Sequence, residues 1–223
     1  MRGTQLAVLA ALAAAAAVAA SGCGGSGSSS SPAAPPTTPG QSKASVFNDP
    51  ALFVLAEADL PDGYVVDPPN SRPVTNADTA KGRDNAYLRN IQSMGRIGGY
   101  ASGWRLTKAE VVGPIQIESS ASTYETVGGA EDAYALALTE ISPEYKAIDA
   151  TDKVGDESRA WTRSIDSPNG PLTLYTLAWR SGPVLGTLST TSQDGTGSLD
   201  DALAYAQKQQ QRIEASMAKG LAK

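Results

Sequence analysis

The 223-residue chain contains no histidine and only one cysteine. Without histidine, the usual imidazole base of a catalytic triad is missing, and a single cysteine cannot form a disulfide within the chain. The zinc sites that combine cysteine and histidine are excluded for the same reason. The composition therefore favours a domain held together by its apolar core, and we expect no catalytic residue, no metal ion and no cofactor.

Basic residues are also scarce. The chain has 18 Lys and Arg against 23 Asp and Glu, which gives a formal net charge of −5. Binding to nucleic acid requires a clustered basic surface that neutralises phosphates, and no such cluster is present. We therefore expect no nucleic-acid partner.

The lone cysteine, Cys23, lies where an alanine-rich apolar segment gives way to glycine, serine and proline. Arg2 provides a positive start, and residues 6–20 form an apolar stretch that is short for a membrane-spanning helix. The small residues just before Cys23 are typical of a cleavage site. This pattern predicts a signal peptide over residues 1–22.

The segment Ala20-Ser21-Gly22-Cys23 resembles the lipobox of bacterial lipoproteins, with Ala20 where this motif most often has leucine. The resemblance implies cleavage before Cys23 and lipid attachment to its thiol by diacylglycerol, with a further acyl chain such as palmitate. It implies a protein anchored at the extracytoplasmic face of the cell membrane, or at the outer membrane of a two-membrane envelope. An ordinary secretory peptide, cleaved within the alanine run, is the alternative.

Residues 23–45 form a low-complexity segment of Gly, Ser, Pro and Thr. A flexible chain of this length would hold the following domain roughly 25 Å from the membrane. Residues 46–223 are enough for one ordinary core, so the sequence predicts a single folded domain attached to the membrane through its N-terminal lipid.

Hydrophobic periodicity in residues 46–223 alternates between strands and helices. Two alternating stretches, 100–106 and 115–122, predict paired strands, and residues 130–141 have helical spacing. Further predicted elements are a hairpin or strand and turn at 51–66, a helix from Asn76 or Asp78 to Gly95, strands at 159–165, 172–179 and 184–192, and a final helix capped by Ser198. Residues 172–179 are apolar on both faces, which indicates a central strand.

Two parts of this region are similar to each other. Gly113-Pro114-Ile115 matches Gly182-Pro183-Val184, and Tyr100-x-x-x-Trp104-Arg105 matches Tyr175-x-x-x-Trp179-Arg180. These matches predict two pseudo-symmetric β-β-α repeats in an α+β fold, with one antiparallel sheet and the helices packed on one face. A chance similarity in an alanine-rich chain is the alternative.

The order of elements and the Val154-Gly155-Asp156 turn loosely resemble uncharacterised α+β envelope lipoproteins of the PsbP-like or Mog1-like type. This resemblance implies the fold class but no ligand site. The acidic residues around the turn, Asp149, Asp152, Asp156 and Glu157, lack the spacing of a calcium loop, and we interpret them as a solvated loop.

The repeated Tyr-x-x-x-Trp-Arg motif is the most specific internal feature. One interpretation is a ligand groove in which aromatic faces stack and arginines hold an anionic group. Its residues would be Tyr100, Trp104, Arg105, Tyr175, Trp179 and Arg180. In the other interpretation, the aromatic residues belong to the core and the arginines lie at its edge.

Three functions follow from these observations. The first is a non-catalytic, membrane-anchored binding module for a protein, a glycan or a small ligand. The alternatives are a carrier of lipid or another apolar ligand, which requires an internal cavity, and a hydrolase that uses paired carboxylates in place of histidine.

The lipobox generates a direct test. Replacing Cys23 by alanine removes the thiol, so the Cys23→Ala protein is expected to leave the membrane fraction or to accumulate as an uncleaved precursor. Membrane fractionation and mass spectrometry of the N-terminus measure both effects. A correctly processed variant that stays in the membrane fraction would refute lipid attachment.

Overall fold

The computed structural model describes residues 46–108, 111–150, 152–193 and 195–221. The predicted signal peptide, the lipid-attachment residue Cys23 and the tether lie outside these ranges. Among the described helices, none combines the length and the apolarity needed to cross a membrane.

The fold is α+β, built on one antiparallel sheet of eight strands. The strands are β1 Tyr64–Val66, β2 Arg72–Val74, β3 Arg96–Leu106, β4 Gln116–Tyr124, β5 Lys146–Ile148, β6 Glu157–Ile165, β7 Leu172–Ser181 and β8 Val184–Gln193. Their order across the sheet is β1-β3-β4-β8-β7-β6-β5, and β2 also pairs with β3. The strands expected from alternation, namely β3, β4, β6, β7 and β8, are confirmed.

Four α-helices accompany the sheet in the described ranges: α1 Asn76–Thr79, α2 Asn85–Ser93, α3 Val127–Thr139 and α4 Leu199–Leu221. Short 3₁₀ helices lie at Val46–Asn48, Pro50–Phe53, Glu57–Asp59 and Pro68–Asn70. The single helix expected up to Gly95 is two helices. The chain turns after α1, and the Asp84 side chain then accepts a hydrogen bond from the Tyr87 backbone N–H at the start of α2.

The helices α3 and α4 lie on opposite faces of the sheet, so the prediction that the helices share one face is wrong. Adjacent residues of a strand point to opposite faces. In β7, Trp179 belongs to the core that contains Ile213 of α4, whereas Ala178 belongs to the core that contains Tyr134 of α3. The helices lie on both faces because the central strands are apolar on both faces, and each apolar face must be packed against other elements.

The position of the helices on opposite faces restricts the predicted β-β-α repeat to its strands. The pairs β3–β4 and β7–β8 meet at the centre, where β4 lies beside β8. A twofold axis that relates two adjacent antiparallel strands runs perpendicular to the sheet and would place both following helices on one face. The repeat therefore stays a prediction for the strand pairs and does not extend to the helices.

The N-terminal segment is attached to the sheet and to α4 through one buried hydroxyl. Ser119 of β4 accepts a hydrogen bond from the Leu55 backbone N–H at 3.0 Å and donates one to the Gln209 Oε1 of α4 at 2.8 Å. The Ser102 hydroxyl donates to the Leu55 carbonyl at 3.1 Å. Phe53 beside this segment is fully buried. Segment, sheet and helix thus form one core.

The two edges of the sheet are short. On one side, β5 pairs with only three residues of β6, from Ala160 to Thr162. On the other side, β1 and β2 share the edge of β3, and β2 contains Pro73.

Because Trp179 is tightly packed, adding a single methyl group beside its ring is expected to destabilise the fold. A methyl group on Gly186 would lie 2.6 Å from the Trp179 ring, so Gly186→Ala is expected to lower the free energy of unfolding by about 1–3 kcal/mol. Urea denaturation measures this. A Cβ on Gly98 meets no atom within 4 Å, so Gly98→Ala is the matched control. Equal midpoints for the two variants would contradict the packing described here.

Candidate functional site

The four aromatic residues of the repeated motif lie on the α4 face of the sheet. Trp104 and Trp179 are buried in the core, with 5% and 0% of their surface exposed. Tyr100 and Tyr175 are partly buried and pack against the same core. The tryptophans therefore hold the sheet to α4 and to the N-terminal segment.

The two arginines of the motif point to the other face. The side chain of Arg105 is 59% exposed and lies 3.5 Å from an Asp67 carboxylate oxygen. Arg180 lies on the α3 side of β7 and contacts Glu131 of α3 at 3.7 Å. Two strands also separate β3 from β7, a span of about 14 Å between the two motifs. The structure does not bring the six residues together in one groove.

The acidic residues at the start of β6 have a structural role. Asp156 and Glu157 each accept a hydrogen bond from the Arg180 guanidinium at 2.8 Å. The Glu157 hydrogen bond is the main reason why the pKa of Arg180 is raised, and the charge of Asp156 adds to it. Within the described ranges, no three carboxylates converge as a metal site would require.

A polar cleft lies between α4 and the turn that precedes β6. Its volume is about 400 Å³. We call it the α4 cleft, and it is lined by Lys153, Val154, Gly155, Asp156, Ser181, Gln207, Gln210, Gln211 and Glu214. The Val154-Gly155-Asp156 turn, noted in the sequence only as a marker of fold class, thus forms one wall.

The floor of the α4 cleft is a hydrogen-bond network centred on Gln210. The Trp179 indole N–H donates to the Gln210 Oε1 at 2.9 Å. The Gln210 amide then donates to the Ser181 hydroxyl at 2.9 Å and to the Glu214 carboxylate at 2.8 Å. Because Gln210 is buried and its amide is engaged at both ends, the floor has one fixed arrangement.

Gly155 brings the wall close to this floor. Its φ of +62° lies in the left-handed region, which glycine adopts at little cost. A Cβ at this position would come within 2.9 Å of the Trp179 ring. It would also come still closer to the Arg180 carbonyl oxygen, so the turn cannot approach Trp179 this closely with any other residue at position 155.

Gln210 was not among the residues predicted for a site, although the sequence contains a signal for it. The apolar residues 199, 202, 203, 206, 213 and 217 have the spacing of an inner stripe on the last helix, and helical spacing adds positions 209 and 210 to the same stripe. Two adjacent glutamines on a buried stripe are unusual and indicate buried polar partners.

The lining of the α4 cleft offers amides, a hydroxyl, an ammonium group and two carboxylates. Side-chain amides both donate and accept hydrogen bonds, which suits polar ligands. The exposed residues Gln207 and Gln211 lie one helical turn apart on the rim. The lining therefore offers hydrogen-bond donors and acceptors to a polar ligand.

An apolar cavity lies on the other face, between α2, α3 and the sheet. Its lining includes Ile91, Met94, Ala133 and Leu185, and its volume is about 30 Å³. This is roughly the volume that one water molecule occupies in the liquid. The cavity is too small for an acyl chain and gives no support to the lipid-carrier alternative.

One pair of carboxylates bears on the hydrolase alternative. Burial and, to a smaller extent, the charge of Asp67 together raise the pKa of Glu118 to about 7, against the opposing effect of a hydrogen bond from Gln116. Asp67 itself accepts a hydrogen bond from the Asn70 amide at 2.7 Å. Neither of the two cavities borders this pair. The structure thus brings two carboxylates into electrostatic contact outside both of these cavities.

The raised pKa makes stability depend on pH. The unfolded chain releases the Glu118 proton near the ordinary value of 4.5, and the folded chain holds it up to about pH 7, so this carboxyl destabilises the fold increasingly over that interval. Glu118→Gln is therefore expected to raise the free energy of unfolding by about 1–3 kcal/mol at pH 8, relative to its effect at pH 4. Urea denaturation at both pH values checks this, with the exposed Glu57→Gln as control. A pH-independent difference would contradict it.

Comparisons with known proteins give one structural similarity. No family model matches the chain, and no curated protein matches it. Among solved structures, the extracellular domain of PknH from Mycobacterium tuberculosis is similar, with a TM-score of 0.40 and 8% sequence identity, over 74% of this chain and 94% of that chain.

Proposed function

We propose that the chain is a lipid-anchored envelope lipoprotein whose folded domain is a non-catalytic module that binds a polar ligand in the α4 cleft. The observation that carries this proposal is the buried Gln210 network, which forms the floor of a cleft of about 400 Å³. The ligand is a glycan, a small polar molecule or a polar segment of another protein.

A fixed floor favours binding. Ordering flexible side chains on association costs free energy, and a site that is already ordered avoids part of this cost. In the α4 cleft, the indole of Trp179, the amide of Gln210 and the hydroxyl of Ser181 are held by one another. The exposed amides of Gln207 and Gln211 then remain as adjustable contacts at the rim.

The size and polarity of the cleft narrow the ligand class. A volume of about 400 Å³ falls within the usual range of small-molecule sites, ~300–1,000 Å³. The lining holds one cationic group, Lys153, and two carboxylates, Asp156 and Glu214. An anionic ligand would face both carboxylates, so an uncharged ligand rich in hydroxyl or amide groups fits best.

The first described residue lies near the α4 cleft. Val46, the first described residue, lies against the last turn of α4, because a Cβ on Gly220 would meet the Val46 side chain at 2.5 Å. Glu214 of the cleft is six residues earlier in the same helix, about 9 Å along its axis. A tether that runs from Cys23 to residue 45 would therefore arrive beside the cleft.

The test uses the full chain purified from its native envelope, with native mass spectrometry to detect bound molecules. A double variant, Gln207→Ala with Gln211→Ala, removes both rim amides and is expected to reduce ligand occupancy at least about tenfold, since each lost hydrogen bond costs roughly 1 kcal/mol. Gln92→Ala removes an exposed glutamine of α2 on the opposite face and serves as the matched control.

Two results would overturn the proposal. One is equal occupancy of the same ligand in the cleft variant and in the control, which would place the ligand elsewhere. The other is repeated recovery of the protein without any bound molecule, together with turnover of a substrate in a panel of glycosides and esters.

A further inference from the structure

A second polar surface lies on the face of the sheet opposite α4. It consists of Glu118, Ser120, Thr176, Thr187 and Ser189, which are all partly exposed, and we call it the hydroxyl face. The buried residues of α3 pack against Tyr124, Ala178 and Leu185, toward one end of the same face. The hydroxyl face therefore remains open to solvent.

Strand register arranges these side chains in two rows. Glu118 of β4 is paired with Ser189 of β8, which is paired with Thr176 of β7. In the neighbouring row, Ser120 is paired with Thr187, and their hydroxyls are hydrogen-bonded. Because paired residues on adjacent strands are about 5 Å apart, one carboxylate and two hydroxyls lie in a line across three strands.

Larger groups border the hydroxyl face on two sides. On the β3 side, Asn70 lies over Gly103, whose Cβ would come within 2.6 Å of the Asn70 Cβ. On the β6 side, the large indole of Trp161 follows Thr176 in the same row. Larger side chains thus flank the row of Glu118, Ser189 and Thr176 on both sides.

The charge of Glu118 has no cationic partner in the described part of the chain. Its carboxylate accepts a hydrogen bond from the Gln116 amide at 2.7 Å, and no Lys or Arg of the described ranges forms an ion pair with it. The nearby guanidinium of Arg105 is paired with Asp67. On β6, Arg163 is paired with Glu144. A partly buried carboxylate without a counter-ion is costly, and an added cation would offset that cost.

We propose that the hydroxyl face binds the primary ammonium group of a small organic amine. An ammonium group carries three N–H donors, and the face offers acceptors in the Glu118 carboxylate and in the hydroxyl of Ser189, its cross-strand partner on β8. The Ser189 and Thr176 hydroxyls are hydrogen-bonded to each other at 3.0 Å, so Thr176 fixes the position of Ser189. Charge complementarity excludes anionic ligands, because Glu118 and Asp67 would repel them. This site is separate from the α4 cleft, which lies on the other face.

Binding at this site depends on pH in a defined direction. The groups that act on the Glu118 carboxyl are Asp67, through its charge, and Gln116, through its hydrogen bond. Its cross-strand neighbours are Gly103 on β3 and Ser189 on β8, and Arg105 of β3 is paired with Asp67. The ammonium group pairs with the ionised carboxylate, whose pKa of about 7 in the free protein means that about a tenth is ionised at pH 6. Affinity is therefore expected to be roughly tenfold weaker at pH 6 than at pH 8.

The experiment is an NMR titration of the full-length, isotope-labelled chain with n-butylammonium chloride. At pH 8, we expect saturable shifts of the Ser120, Thr176 and Ser189 amides with a Kd on the order of 1–10 mM, and a lower pKa for the Glu118 carboxyl in the bound state. Tetramethylammonium, which has no N–H donors, and sodium butyrate, an anion of similar size, are the matched probes.

Variants separate this site from general charge effects. Glu118→Gln keeps the size and a hydrogen-bonding group and is expected to abolish the saturable shifts, whereas Glu57→Gln leaves them unchanged. Equal shifts with tetramethylammonium, unchanged binding in Glu118→Gln, or no saturable shift at pH 8 would each overturn the proposal. None of these results bears on the α4 cleft, whose ligand is detected separately.

Discussion

Two adjacent glutamines in the middle of α4 determine how that helix lies on the sheet. Gln209 reaches the Ser119 hydroxyl and the Ser120 carbonyl of β4, and Gln210 reaches the Trp179 indole of β7. Apolar contacts alone would allow a helix to slide or rotate with little change in buried area, because they have no direction. Buried hydrogen bonds do have a direction, and shifting the helix by one residue would break them at a cost of about 1–3 kcal/mol each.

The same pair connects stability with the candidate site. Gln209 lies toward the centre of the sheet and joins the N-terminal segment through Ser119. Gln210 is turned toward β7 and forms the floor of the α4 cleft. The same face of α4 therefore holds the helix on the sheet and forms the floor of the α4 cleft. Because that face is packed in the core, the floor of the cleft is rigid.

Much of the fold could be predicted from local pattern. Alternation predicted β3 and β4, because their polar and apolar residues face different surroundings, and helical spacing predicted α3 and α4. The side of the sheet on which each helix packs could not be predicted this way. It depends on how residues such as Ala178 and Trp179 are distributed between two cores, and single-strand patterns do not contain that information.

The candidate site residues, too, could be predicted from the sequence only in part. Aromatic and arginine residues in a repeated motif suggested a groove, but period two places Arg105 and Arg180 on the face opposite Trp104 and Trp179, which argues against a shared surface. Gln210 was detectable as a polar residue on an apolar stripe. Its partner Trp179 was not, since the two are separated by 31 positions and meet only in the folded chain.

The short edge strands of the sheet affect how copies of this domain can associate with one another. An open edge exposes unpaired backbone groups, on which a strand from another chain can add. Here one edge strand has three residues, and the other edge is divided between β1 and β2, where Pro73 has no N–H to donate. Copies of the domain at high local concentration would thus find few unpaired backbone groups at these edge strands for edge-to-edge pairing. Short edge strands therefore limit the growth of the sheet from one copy into the next.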